Sequence, residues 1–221
     1  MRLRWLFAVI LLFAIVISVP LRLALTPPAT VISAQSVEGT IWNGRLIGAS
    51  LGGQPLGDLD ARLSPGALFL GKARVRLDGA RLHGAVVTSF GTRSGEISLL
   101  SLPIGRTMGP VELSVLEITD AQVVFHDDEC VRAEGHMMMQ IKSGFGGQRL
   151  SGSLRCSGAM LAADLVSQSA MQRLSLRFPT PVRYQALLTV KASDNLQAVA
   201  LTAAGFRETP VGHVMKLAGT L

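Results

Sequence analysis

The densest set of potential ligands in the chain is His126-Asp127-Asp128-Glu129. One imidazole and three carboxylates could in principle hold zinc or a hard cation. Neighbouring residues on an extended chain point to opposite faces, however, and no second histidine or acidic cluster stands at ligand spacing. The plainer reading is a solvated turn ahead of Cys130. His83, His136 and His213 stand alone in sequence and read as strand-face residues rather than catalytic bases. Neither Ser-x-x-Lys nor His-Glu-x-x-His appears. A triad can assemble in space without a motif, but nothing here marks one, so the expectation is a non-enzyme with no catalytic residue, no metal and no cofactor.

Two other groups carry chemistry of a softer kind. Met137, Met138 and Met139 would alternate across a strand, either filling an irregular core or lining an apolar groove that accepts lipid or a partner. Cys130 and Cys156 each sit in a β-like run. They suit a disulfide if the compartment is oxidising, and two buried thiols if it is not.

The N-terminus bears on that choice. From Trp5 to Val19 the chain reads WLFAVILLFAIVISV without a charge, and apolar character resumes at Leu21, Leu23, Ala24 and Leu25. A helix of about twenty residues crosses a hydrocarbon core of roughly 30 Å if Arg22 snorkels to the headgroups. Arg2 and Arg4 favour a cytoplasmic tip, which places the rest of the chain beyond the span on the outer side. A cleaved signal peptide is the competing account, although VPLRLALTPPATVISAQ offers no clean Ala-x-Ala site. The segments predicted are a cytoplasmic tip over 1–4, a transmembrane helix over 5–25, a linker over 26–35 stiffened by Pro27 and Pro28, and a periplasmic domain over 36–221. The localisation implied is the inner membrane, single-pass.

The 221 residues carry 21 basic and 15 acidic side chains, with a pI near 10.1 and a mean hydropathy of +0.40. Such basicity raises nucleic acid as a partner. Three of the arginines flank the apolar run, the remainder are scattered singly among acids, and the aromatics amount to 5%, so nucleic-acid binding is not expected.

Beyond residue 35 short alternating runs bounded by glycine replace any helical period. The strands predicted are Val37–Trp42, Leu46–Leu51, Gln54–Leu63, Ala73–Leu77, Ala80–Val87, Gly95–Ser98, Val111–Val115 and Ala121–His126. A second set covers Cys130–Ile141, Arg149–Cys156, Gly158–Val166, Arg183–Lys191, Gln197–Ala203 and Met215–Leu221. Ser167 to Leu174 is left open between helix and strand. Gly144 to Gln148 reads as a hairpin turn, and Pro179 with Pro181 as a boundary between sub-blocks. The fold class is all-β: a curved antiparallel sheet or partial, gutter-like barrel, since interior glycines let long strands bend.

The domain opens on Val37-Glu38-Gly39-Thr40-Ile41-Trp42-Asn43-Gly44-Arg45. Behind a basic tip and one span, this resembles the type II secretion system protein N family, in which a β-strand of the form x-G-T-hydrophobic-W-x-G opens the periplasmic region. Gly39, Thr40, Trp42 and Gly44 match it. The two cysteines and the ending Leu217-Ala218-Gly219-Thr220-Leu221 resemble the family's layout as well. The resemblance implies a membrane-anchored scaffold of the machine that exports folded proteins, with other inner-membrane and periplasmic subunits of that machine as partners. A rival resemblance is to the AsmA-like family, whose gutter-shaped sheets imply lipid contact in an apolar groove.

Overall fold

The computed structural model describes residues 18–21, 32–108, 111–143, 146–180 and 183–220. The tip, most of the predicted span, much of the linker, residues 144 and 145, and Pro181 lie outside them.

The described chain runs β1 (Ile32–Ser33), β2 (Ser36–Gly39), β3 (Gly44–Leu51), β4 (Gln54–Leu63), α1 (Pro65–Phe69), β5 (Ala73–Gly79) and β6 (Leu82–Ser89). Next come the long strands β7 (Thr92–Met108), β8 (Val111–His126), β9 (Glu129–Ser143) and β10 (Gly146–Ser157). The last part holds β11 (Met160–Ser167), β12 (Gln172–Thr180), β13 (Arg183–Val190), α2 (Asn195–Ala203), β14 (Arg207–Thr209) and β15 (Gly212–Thr220). All strands join one antiparallel sheet. From β3 to β13 each strand pairs with the next in sequence, so connections stay local, as in a meander. β1 and β2 both lie along β3, while β15 pairs with β13 and carries β14.

Period-two alternation explains why one face is apolar. In β13, Ala186, Leu188 and Val190 are buried while the residues between them are less so. β12 buries Leu174 and Leu176 likewise, and β9 buries Met137, Met139 and Ile141 while Met138 faces the other way. One apolar cluster joins these strands to Leu201 of α2 and to Phe206. A second gathers Leu46, Leu56, Leu59, Leu82 and Leu100 around Leu21.

The sheet is bent back on itself without closing into a barrel. Leu51 of β3 and Leu217 of β15 line one cavity, although eleven pairing steps separate their strands. In a flat sheet, at about 4.8 Å per strand, they would be roughly 50 Å apart. β1, β2 and β14 remain at open margins.

Several predicted elements change. Gly95–Ser98 is a fragment of the 17-residue β7, which runs on through Pro103 because a register shift between Pro103 and Arg106 absorbs the missing N–H. Val111–Val115 and Ala121–His126 are one strand, β8, with irregular register where Asp120 takes a φ of 49°. β12 likewise continues through Pro179 to Thr180, with a shift after Arg177, so the expected boundary is a strand. Ser143 pairs with Gly146, which makes a hairpin of the predicted glycine turn. Gln197–Ala203 is helical rather than extended, because Asp194 caps α2 by accepting from the Gln197 N–H at 2.7 Å while Gln197 Oε1 accepts from the Ser193 N–H at 2.6 Å.

Candidate functional site

The family-like segment forms a tight turn rather than a strand. β2 stops at Gly39, and Thr40 to Asn43 fold back before β3 begins at Gly44. The Thr40 N–H donates to the Asn43 carbonyl at 3.3 Å, and the Asn43 N–H donates to the Thr40 carbonyl at 3.2 Å. Gly39 has a φ of +81°, and a Cβ there would stand 2.5 Å from the Asn43 carbonyl oxygen. A Cβ on Gly44 would meet Leu21 Cδ2 at 2.4 Å and the Thr40 carbonyl at 2.9 Å. The two glycines therefore make room for the turn and for Leu21, which is 6% exposed. Trp42 sits on this turn, half-buried, where sequence reasoning had it inside the first strand.

Leu21 shows what the turn is for. Pro20 bridges Thr40, and the Ile41 N–H donates to the Val19 carbonyl at 3.0 Å. The Leu63 N–H then donates to the Ile41 carbonyl, also at 3.0 Å. Ser18 to Leu21, assigned to the span by hydropathy, thus dock onto the β domain.

Cys130 and Cys156 are joined, with Cα atoms 5.6 Å apart. The hairpin register places Ala159 opposite Cys130, whose N–H donates to the Ala159 carbonyl at 2.8 Å. Gly158, at a φ of +61°, turns the chain between β10 and β11 and brings Cys156 alongside. Sequence arithmetic alone leaves those cysteines offset across the β9–β10 hairpin, and this second turn takes up the difference.

The ligand-like cluster is the β8–β9 turn. Asp127 and Asp128 take φ values of 47° and 67°, the two-residue turn that matches strand twist. His126 Nδ1 lies 3.2 Å from Thr92 Oγ1, and Arg93 pairs with Asp128 at 3.1 Å. Among the described residues no three His, Cys, Asp or Glu side chains are set to hold a metal. His83 is exposed beside Asp78 at 3.6 Å, and His136 is exposed on β9. His213 is 5% exposed, with neither ring nitrogen hydrogen-bonded. Asp164 is held below its ordinary 3.8, chiefly by the Ser175 hydroxyl donating at 2.6 Å and also by Arg155.

Sequence reasoning overlooked two motif spellings. Gly48 to Gly52 reads Gly-x-Ser-x-Gly, but Ser50 lies in β3 facing Ser33 at 2.7 Å, on a hairpin rather than the strand-to-helix elbow that exposes a nucleophile. Gly66 to Lys72 reads Gly-x-x-x-x-Gly-Lys, but Ala73 comes next in place of Ser or Thr, and its first residues form α1 instead of a phosphate loop.

Two features belong to tertiary structure alone. An apolar cavity of about 180 Å³ lies between the two arms of the bent sheet, lined by Leu102, Leu116, Met139, Leu176 and Phe178 among others, with Tyr184 at its wall. Met139 serves both core and cavity, so the two readings of the methionine run meet in one residue. The second feature is an edge. β14 covers only Gly212 to Val214 of β15, and among the described residues no strand pairs with the outer side of Met215 to Thr220.

The described residues thus form an open all-β sheet with a disulfide, an apolar seam and an uncovered edge. The profile of the family described as Type II secretion system (T2SS), protein N matches residues 31–213, and the chain belongs to that family. It is 30% identical over 149 residues to Type II secretion system protein N of Vibrio cholerae serotype O1 (strain ATCC 39315 / El Tor Inaba N16961). That match spans 60% of this chain and 59% of the relative's length. No solved structure matches.

Proposed function

We propose that this chain is a non-enzymatic scaffold of a type II secretion system, anchored in the inner membrane with its β domain in the periplasm. Residues 5–19 supply the apolar run, and Arg2 and Arg4 the positive-inside signal. No helix among the described residues is long and apolar enough to cross a membrane, and the run as far as residue 17 lies outside them. The Cys130–Cys156 bond suits an oxidising compartment.

The observation that carries the reading is the uncovered edge of β15. Unpaired backbone N–H and C=O groups along Met215 to Thr220 are a template for an extended segment of another secretion subunit, which would add as a further strand. Exposed Lys216 and Ala218 flank that backbone. A photo-crosslinker placed at Lys216 or Ala218 in the living cell is expected to capture a secretion-system subunit, and the same probe on exposed Thr88 of β6 to capture none. Equal capture at both places overturns the edge assignment.

A second reading, lipid handling, draws on the apolar cavity. An enclosed apolar space of about 150 Å³ is enough to hold benzene, so about 180 Å³ accommodates the end of one acyl chain. Phospholipid co-purifying with the native chain and lost on Leu116→Trp would favour it.

A further inference from the structure

The loops at one end of the sheet spend apolar residues on solvent. α1 has no buried residue, yet its sequence runs Ala67-Leu68-Phe69 into Leu70. Phe69 is 92% exposed, Leu70 76% and Leu68 42%. The next hairpin along, between β6 and β7, carries Phe90 at 96% exposure. A Cβ on Gly71 would stand 4.0 Å from the Phe90 ring, so the two loops pool their apolar side chains into one patch. A single exposed phenylalanine is ordinary; two on adjacent loop tips with two leucines mark a surface with an occupant.

The backbone says which occupant. Val19 is bonded to Ile41 and Ile41 to Leu63, while the Ser64 N–H donates to the Arg74 carbonyl at 2.8 Å; α1 starts at the next residue, Pro65. The end of the apolar run is therefore two backbone rows from the strand that leads into α1. β2 heads toward this loop end, and the Pro20–Thr40 bridge is antiparallel, so the chain enters from Ser18 to Leu21 on the loop side. A bilayer crossed by the apolar run ahead of Ser18 must face the loops that carry Phe69 and Phe90.

The geometry points to a lipid surface as the occupant: Leu68, Phe69, Leu70 and Phe90 insert into the periplasmic face of the bilayer that holds the N-terminal run. This rests on the anchored reading above. The depth is that of interfacial side chains, about 5–10 Å. Charge does not drive the contact. Arg74 is paired with Glu96 at 2.8 Å and Arg93 with Asp128 at 3.1 Å; Lys72 stands beside the patch, and exposed Arg62 and Arg76 lie further along β4 and β5. Asp127, Asp128 and Glu129 occupy the neighbouring β8–β9 turn, where the Asp127 N–H donates to the Gly91 carbonyl, and they hold that side of the loop end in water. The β domain is thereby fixed at two places, its entering strand and its loop tips, and is set upright on the membrane.

The test uses the full chain reconstituted in vesicles of phosphatidylethanolamine and phosphatidylglycerol. F69C, F90C and L196C each receive an environment-sensitive nitrobenzoxadiazole label, the native cysteines being joined. Leu196 is equally solvent-facing, at 81%, but lies on α2, whose Leu201 packs into the apolar cluster of β9 to β13. Labels at 69 and 90 are expected to shift to the blue and to be quenched several-fold more than the label at 196 by nitroxide on the lipid chains, in low and high salt alike. If the chain floats with vesicles but all three labels quench equally, insertion is overturned and the anchor stands. A blue shift at 69 and 90 without lipid quenching overturns it in favour of a second copy covering the patch. If the chain does not float, the anchored reading falls, and insertion with it.

Discussion

Replacing both cysteines, in Cys130→Ala/Cys156→Ala, tests how much of the β domain's stability comes from one covalent link. The bond spans a sequence separation of 26, which in the loop-entropy treatment restricts the unfolded chain by about 3.5 kcal/mol at 25 °C. Cys130 is 6% exposed, and alanine at that position keeps the site apolar. For a chain of this size each kcal/mol moves the midpoint by about 2–4 °C, so the variant should melt roughly 7–14 °C below the native protein. The assay is thermal unfolding of the full chain in mild detergent, monitored by far-ultraviolet circular dichroism, with and without reductant. The native protein in reductant should fall to the midpoint of the variant, and the variant should ignore reductant. A variant that melts with the oxidised native protein would refute the reasoning, because the loop would then be held closed by its β9–β10 and β10–β11 pairings without the bond.

Leu21→Ala should cost about 2–4 kcal/mol, since a side chain 6% exposed leaves a hole beside Gly44, and a urea midpoint equal to the native one would detach Ser18–Leu21 from the domain. Trp42→Ala, at a half-buried turn position, should cost less than about 2 kcal/mol, below the loss for Leu21→Ala; a larger loss in the same titration would place the ring inside the core after all. His213→Met should raise stability by about 1 kcal/mol, because it removes two buried ring nitrogens that lack partners, and a clear drop in the melting midpoint would show that those nitrogens are satisfied. Asp164 has a lowered folded-state pKa, so its contribution is present above its unfolded value of 3.8 and is lost as pH falls below that toward the folded value. Stability measured from neutral into acid should therefore fall less steeply in Asp164→Asn than in the native chain, and parallel curves would discount the Ser175 and Arg155 contacts.

How much of this was legible in the sequence depends on the range of each contact. Alternation such as Ala186, Leu188 and Val190 announces a strand buried on one face, and from it the all-β class is deduced. Gly39, Thr40 and Gly44 were visible as a motif, but their purpose was not, because the partner they admit is Leu21, inside a run whose hydropathy reads as membrane. One proline misled. Pro179 looked like a boundary and is instead accommodated by a register shift beside it, as is Pro103 in β7. α2 was hidden because Gln197, Val199 and Leu201 can pass for an alternating strand, whereas Asp194-x-x-Gln197 was the capping signal that would have found it. The cavity and the β15 edge had no signal, since both arise from strands that meet only when the sheet bends.

The measurement that tests the central claim most directly is the fate of exported proteins in the organism that carries this chain, with and without its gene, with outer-membrane lipid composition measured on the same cells. A secretion scaffold predicts folded exoproteins accumulating in the periplasm, restored to the medium by the native gene, while the lipids stay unchanged. Intact secretion together with an altered lipid profile would contradict it, and would move the function from the edge of β15 to the cavity beside Met139.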